Sequence, residues 1–345
     1  MKVFSKKHND VSPIIDRQSL FREIVDSTAY QFQVYCNKAI EITQKHFSDR
    51  RRVFNPIYVS DVCVNDCLYC GFRRSNKLFK RITLNPAQSL KEATFLVSRG
   101  VKNLLILTGE YYSNKYFEML VEHIMTIKKV RPSWLGVEVA PLEVEQYRKL
   151  SSLGVNSIIV FQETYDPQIY QCLHGINTPK SDFNFRYETP LRAIKGGIKE
   201  IGLGILYGIG DWFKDTLAMI EHASKLIEYN PEIKIRFSFP RIQFFSNQGV
   251  NIIRQEVKEN TLTRIIVAIR LLFPTSRLAL TARESQKFRL TNLNIVTDVG
   301  EGGSTAVGGY TIYPENEYHG QFKLSGRNSL DSFISKMKNL GYIIE

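Results

Sequence analysis

Three features of the sequence predict an α/β chain closing as a (β/α)8 barrel of the TIM type, with an N-terminal helical extension. Short β-branched apolar runs alternate with longer amphipathic stretches, and there are eight such runs. Their starts lie about 20 to 45 residues apart, which leaves room for a crossover helix between parallel strands and is far too long for hairpins. No linker rich in Pro, Gly or Ser divides the 345 residues, so residues 53–345 are read as one domain behind an extension of residues 1–52.

The extension comes first. Leu20 to Phe47 carries apolar residues at mixed helical spacings without Pro or Gly, which predicts one or two helices. Strands one to four are expected over 57–59, 103–107, 135–139 and 157–161, and strands five to eight over 200–206, 234–239, 277–280 and 294–297. Helices fit between them over 86–99, 114–130, 142–153, 185–195, 213–228 and 259–273.

Composition narrows the function classes. At 43% hydrophobic and 23% charged residues, the chain has the proportions of a folded soluble protein. Its apolar runs are far shorter than the roughly 20 residues of a membrane span. Residues 1–16 are charged and lack the apolar core of a signal peptide, so the cytoplasm is the expected location. The net charge is +12, with its densest groups at Arg50-Arg51-Arg52 and at Arg73, Arg74, Lys77, Lys80 and Arg81. Because the basic residues are otherwise dispersed, they are read as a solvated surface near an anionic cofactor, not as a nucleic-acid interface.

Five cysteines without a secretory signal argue against a disulfide framework. Three of them, Cys63, Cys67 and Cys70, share the polar loop after strand one. A structural zinc site closes with four ligands, yet Cys36 and Cys172 are remote and no His stands at the usual spacing. Three thiolates suit a four-iron cluster whose remaining iron stays open. In barrels of this class chemistry sits on the loops after the strands. That rim also receives Thr108-Gly109-Glu110 after strand two, Gln162-Glu163 after strand four, Arg241 after strand six, Arg283-Glu284 after strand seven and the glycine-rich residues 300–309 after strand eight. Gly202-x-Gly204 lies inside a strand and is no dinucleotide fingerprint, the glycine-rich loop lacks the Lys-Ser/Thr of a P-loop, and the six histidines form no catalytic grouping.

Cys63-x3-Cys67-x-Tyr69-Cys70 resembles the signature of the radical S-adenosylmethionine (SAM) superfamily. Residues 56–77, Phe161-Gln162-Glu163-Thr164-Tyr165, Lys180-Ser181-Asp182-Phe183, Ser238-Phe239-Pro240-Arg241, Thr281-Ala282-Arg283-Glu284 and Val307-Gly308-Gly309-Tyr310 are similar to one subgroup, the aromatic amino acid lyases. The subgroup comprises the tyrosine lyases of thiamine biosynthesis (2-iminoacetate synthases) and of hydrogenase maturation, and the tryptophan lyases. The resemblance implies a [4Fe–4S] cluster on Cys63, Cys67 and Cys70 that chelates SAM and yields a 5′-deoxyadenosyl radical. It further implies cofactor contacts from Tyr69, Gly109, Glu110, Gln162, Glu163 and Arg192. Arg283 would clamp the substrate carboxylate, with Arg241 and Ser304 as further candidates.

The activity implied is cleavage of L-tyrosine to 2-iminoacetate (dehydroglycine) and p-cresol, with a tryptophan lyase or another rearranging amino acid lyase as the alternative. A cluster-bearing scaffold for electron transfer or sensing is the different-class alternative, and an electron carrier would carry four protein ligands where this loop has three. A flavodoxin- or ferredoxin-type reductant is expected, with a thiazole synthase as partner if the pathway is that of thiamine. The hydrogenase maturase continues into a domain with a second Cys-bound cluster, whereas this sequence stops at Glu345, so carbon monoxide and cyanide are not expected products.

Overall fold

A computed structural model describes residues 14–243, 252, 255–301, 303–314, 320–325 and 329–345. Gly302 of the glycine-rich loop and residues 1–13 of the extension lie outside the described residues. Two helices lead in, α1 (Ile14–Asp26) and α2 (Ala29–Phe47), followed by β1 (Arg50–Ser60), α3 (Pro86–Ser98), β2 (Asn103–Thr108), α4 (Asn114–Ile127) and β3 (Trp134–Glu138). The middle of the chain forms α5 (Val144–Ser152), β4 (Ser157–Glu163), α6 (Pro167–His174), α7 (Phe183–Tyr187), α8 (Thr189–Lys195), β5 (Glu200–Ile205) and α9 (Trp212–Tyr229). Then come β6 (Lys234–Ser238), α10 (Glu259–Leu272), β7 (Arg277–Leu280), α11 (Gln286–Thr291), β8 (Asp298–Gly300), α12 (Leu330–Asn339) and β9 (Ile343–Ile344).

Strands β1 to β8 pair in sequence order, all parallel, and β1 bonds both β2 and β8, which closes the barrel. Every residue of β2 and of β5 is buried, as expected of parallel strands covered on both faces. The predicted barrel is therefore the observed one. Strand β9 adds outside it, pairing Ile343 with Arg50. Among the described residues no helix is long and apolar enough to cross a membrane.

Local chemistry sets the helix starts. Thr28 with Gln31, and Asn85 with Gln88, form reciprocal capping boxes, the second followed by Pro86 at the first helical position. Helices α1 and α2 pack on α10, whose Arg264 donates to the Ile24, Val25 and Ser27 carbonyls and so caps the end of α1.

Four expectations need correction. Strand β1 begins at Arg50, so residues 50–52 belong to the barrel and not to the extension. Arg51 and Arg52 are buried rather than solvated: Arg51 donates to the Leu293 carbonyl at 2.6 Å, and Arg52 lies 3.4 Å from both Glu200 and Asp298. The last barrel strand is Asp298–Gly300, not 294–297, because the Ile295 and Val296 amides turn back to Asn292 and strand pairing starts only at Thr297, whose amide donates to Leu278. The helix expected over 185–195 is two helices broken at Glu188, just before Pro190, whose ring and missing N–H oppose an uninterrupted helix.

Candidate active site

The loop after β1 is fastened at its base before it presents any cysteine. The Asp61 carboxylate accepts from the Ile82 amide at 2.7 Å, Ser60 and Thr83 hydroxyls meet at 2.8 Å, and Arg81 donates to the Asp61 carbonyl at 3.1 Å. Fully buried Asn65 ties three segments together. Its amide nitrogen donates to Glu110 at 2.8 Å, its side-chain oxygen accepts from the Lys180 amide at 2.9 Å, and its carbonyl accepts from Arg74 at 2.8 Å. Gly109 has to be glycine because a Cβ there would overlap the Val62 carbonyl oxygen. Its N–H donates to Ser60 and its carbonyl accepts from Tyr116, so its backbone is tied to the protein on both sides.

Cys63, Cys67 and Cys70 are free thiols close enough that Cys70 raises Cys63, and both raise Cys67. Burial pushes the Cys63 thiol up to about 12, so its thiolate needs a cation to exist there. Among the described residues no three His, Cys, Asp or Glu side chains gather as the ligands of one metal ion. Three thiols on one loop leave a structural zinc one ligand short and suit a cluster that keeps one iron open.

Next to the thiols stands a buried charge box. Glu110 accepts from Arg186 at 2.8 Å and Lys180 lies 3.8 Å away, while Lys180 donates to Glu163 at 2.9 Å. Desolvation works against the Glu110 carboxylate, but Arg186 and Lys180 outweigh it and hold the carboxyl below its ordinary range. Glu163 enters the box through an irregularity of β4 between Phe161 and Glu163, where its backbone takes the left-handed φ of 70°. Tyr69 donates to His174 Nε2 at 2.7 Å, since His174 Nδ1 faces the Tyr170 carbonyl and must carry the proton.

Two adjoining cavities share the walls Tyr69, Cys70, Leu107, Glu138, Glu163 and Gln321. Glu110, Lys180 and Arg186 line the smaller. Arg283 and Ser304 line the larger, where the Arg283 guanidinium lies 3.5 Å over the Phe322 ring. Ser304 Oγ is already bonded to the Ala306 amide and carbonyl, at 3.0 and 3.2 Å.

The rim expected from the sequence therefore assembles only in part. Tyr69, Gly109, Glu110, Glu163, Arg283 and Ser304 meet around the cavities, but three others do not. Gln162 points to the Phe183 carbonyl at 3.5 Å because β4 sends neighbouring side chains to opposite faces. Arg192 stacks on Phe185 at 3.8 Å and donates to the Leu142 and Phe185 carbonyls, which leaves the box to Arg186. Arg241 is held by Glu284 and by the Val257 carbonyl. Lys180, Arg186 and Glu138 are the side chains the sequence reading passed over. Lys180 stood in a motif noted only for its similarity, and Glu138 stands at the end of strand three, on the rim where chemistry was expected.

Comparison with known proteins agrees with this geometry. The radical SAM superfamily matches residues 57–223. The 2-iminoacetate synthase of Salmonella typhimurium is 33% identical over 88% of this chain and 80% of its own length, and that of Escherichia coli 31% over 92% and 85%. Among solved structures, the FeFe-hydrogenase maturase HydG from Carboxydothermus hydrogenoformans superposes with a TM-score of 0.86 at 27% identity, over 97% of this chain and 76% of that one. Methylornithine synthase shares the fold, with a TM-score of 0.73 at 19% identity over 96% of this chain and 94% of that one. The chain belongs to the radical SAM superfamily and, within it, to the aromatic amino acid lyases that include the 2-iminoacetate synthases.

Proposed function

We propose that this chain is a radical SAM carbon–carbon lyase that splits L-tyrosine into 2-iminoacetate and p-cresol. The observation that carries the reading is Arg283, a guanidinium laid on Phe322 in a cavity that shares Cys70 and Tyr69 with the charge box. When bound, a [4Fe–4S] cluster and SAM supply a radical that takes a hydrogen atom from the substrate amine. Every other task falls to the chain. Cys63, Cys67 and Cys70 hold the cluster. Glu110, within reach of Arg186 and Lys180, receives the amino group of SAM, and Arg186 its carboxylate, because an ammonium seeks a carboxylate and a carboxylate seeks a guanidinium fork.

Arg283 fixes the tyrosine carboxylate, and its stacking on Phe322 keeps the fork oriented. Closure of the barrel around both cavities keeps water from the reacting centre. The enzyme works in the cytoplasm with a flavodoxin- or ferredoxin-type donor, and a thiazole synthase is the consumer of 2-iminoacetate that its relatives' chemistry suggests. The test is an anaerobic incubation of reconstituted protein with SAM, dithionite and tyrosine or tryptophan, read by mass spectrometry. p-Cresol with 5′-deoxyadenosine supports the reading. An indole-derived product moves the chain to a tryptophan lyase, and no SAM cleavage by protein with an intact cluster overturns the assignment.

A further inference from the structure

Three carboxyl groups line the larger cavity: Glu138, Glu163 and Glu301. Two of them already have cations, since Lys180 bonds Glu163 at 2.9 Å and Arg289 bonds Glu301. Glu138, at the end of β3, makes no hydrogen bond or ion pair to any described residue. Across the same cavity Arg283 is in the matching condition. Its guanidinium rests on an aromatic face and has neither a hydrogen bond nor a carboxylate among the described residues.

A chain does not leave one cation and one carboxyl facing a shared cavity without cost, because each is desolvated and neither is neutralised. Direct pairing would have removed that cost. Held apart, the two are complementary to a molecule that carries both charges on one carbon, an α-amino acid in its zwitterionic form. Glu138 has a second property that Arg283 lacks: it lines both cavities, so a group bound to it stands on the thiol side of the substrate.

We infer that Glu138 binds the α-ammonium group of the amino acid substrate and, together with Arg283 on its carboxylate, turns the nitrogen toward the cluster cavity. The inference rests on the tyrosine-lyase reading and adds the residue that decides which hydrogen is presented. The electrostatics of the empty cavity agree. Burial, and then the nearby Glu163, push the Glu138 carboxyl up to about 7 against the pull of Arg283, Arg186 and Arg236, so an incoming ammonium supplies the charge that favours its anion. Glu163 cannot substitute while it neutralises Lys180.

Binding without turnover tests this directly. Reconstituted enzyme with SAM and no reductant is titrated by calorimetry with L-tyrosine, with 3-(4-hydroxyphenyl)propionate, which lacks the amine, and with tyramine, which lacks the carboxylate. Glu138→Gln, close to isosteric, is expected to weaken tyrosine and tyramine about 10- to 100-fold and to leave the deaminated acid unchanged. Arg283→Gln is expected to do the reverse, weakening tyrosine and the acid while sparing tyramine. Glu138→Asp keeps the order of preference with a smaller loss. Equal losses for all three ligands in Glu138→Gln, or no loss for tyrosine, overturn the assignment. Failure of the unmodified enzyme to bind tyrosine overturns the reading of the site, and this inference with it.

Discussion

Arg236 Nε donates to Asp298 Oδ2 at 2.9 Å inside the barrel, with side-chain exposures of 2% and 0%. Arg277 reaches the other carboxylate oxygen at 2.9 Å and Arg52 approaches to 3.4 Å, so one carboxylate serves three strands. Desolvation alone would raise Asp298, but Arg52, Arg277 and Arg236 bring it down to about 2. Asp298→Asn leaves these arginines without their common anion and should cost about 3–5 kcal/mol in urea unfolding. The acid limb adds a second check. A carboxyl depressed in the folded state stabilises above its unfolded pKa near 3.8, and that contribution fades as pH falls toward 2. The stability gap between the unmodified protein and Asp298→Asn should therefore narrow by about 2–3 kcal/mol over that window.

Two arginines placed alike in the sequence should behave oppositely in kinetics. Arg283→Gln removes the cation facing the larger cavity and should lower kcat/KM for tyrosine about 100-fold, mainly through KM. Arg241→Gln breaks a pair with fully buried Glu284 and should leave the KM for tyrosine within about twofold. Because the arginine is 20% exposed, its loss in stability should be at the low end for a buried pair, about 1–3 kcal/mol. Steady-state kinetics and urea unfolding on the same preparations separate the two roles.

Tyr69 and His174 make a third case. Burial first, then Lys180 and Arg186, hold His174 well below its usual range, so its Nε2 is a buried acceptor whose donor is Tyr69. Tyr69→Phe leaves that acceptor unsatisfied and should cost about 1–3 kcal/mol of stability. Since Tyr69 lies between Cys67 and Cys70, the variant should also lose iron faster to a chelator, followed by the visible absorption of the cluster. An unchanged rate would mean that the loop is held by its base alone.

What the sequence revealed depended on distance along the chain. The barrel was legible because period and spacing are local, and so were the three cysteines on eight consecutive residues. Arg51 and Arg52 read as solvated because what buries them is distant in sequence: Arg51 donates to the Leu293 carbonyl, and Arg52 meets Glu200 and Asp298 only when β1 joins the far strands. Arg186 and Arg192 stand six positions apart on a segment that read as one helix. Only the break at Glu188 and the position of Glu110, from β2, decide that Arg186 faces the site. Glu138 was hidden for another reason: its importance lies in a missing partner, which no local pattern records.

Gly109 gives the last test, because its part is played by backbone alone. The end of β2 meets the cysteine loop so closely that a methyl group would strike Val62, while the Gly109 N–H closes onto Ser60. A methyl here cannot be absorbed by a rotamer change, as the opposing atom is a carbonyl oxygen, and overpacking of this kind costs about 1–3 kcal/mol. Gly109→Ala should therefore unfold at lower urea and bind less iron on reconstitution. In the fraction that does carry a cluster, the affinity for SAM should stay within about twofold, since the Gly109 N–H is already given to Ser60 and its carbonyl already accepts from Tyr116. A large loss of SAM affinity at full iron content would assign Gly109 to the cofactor after all.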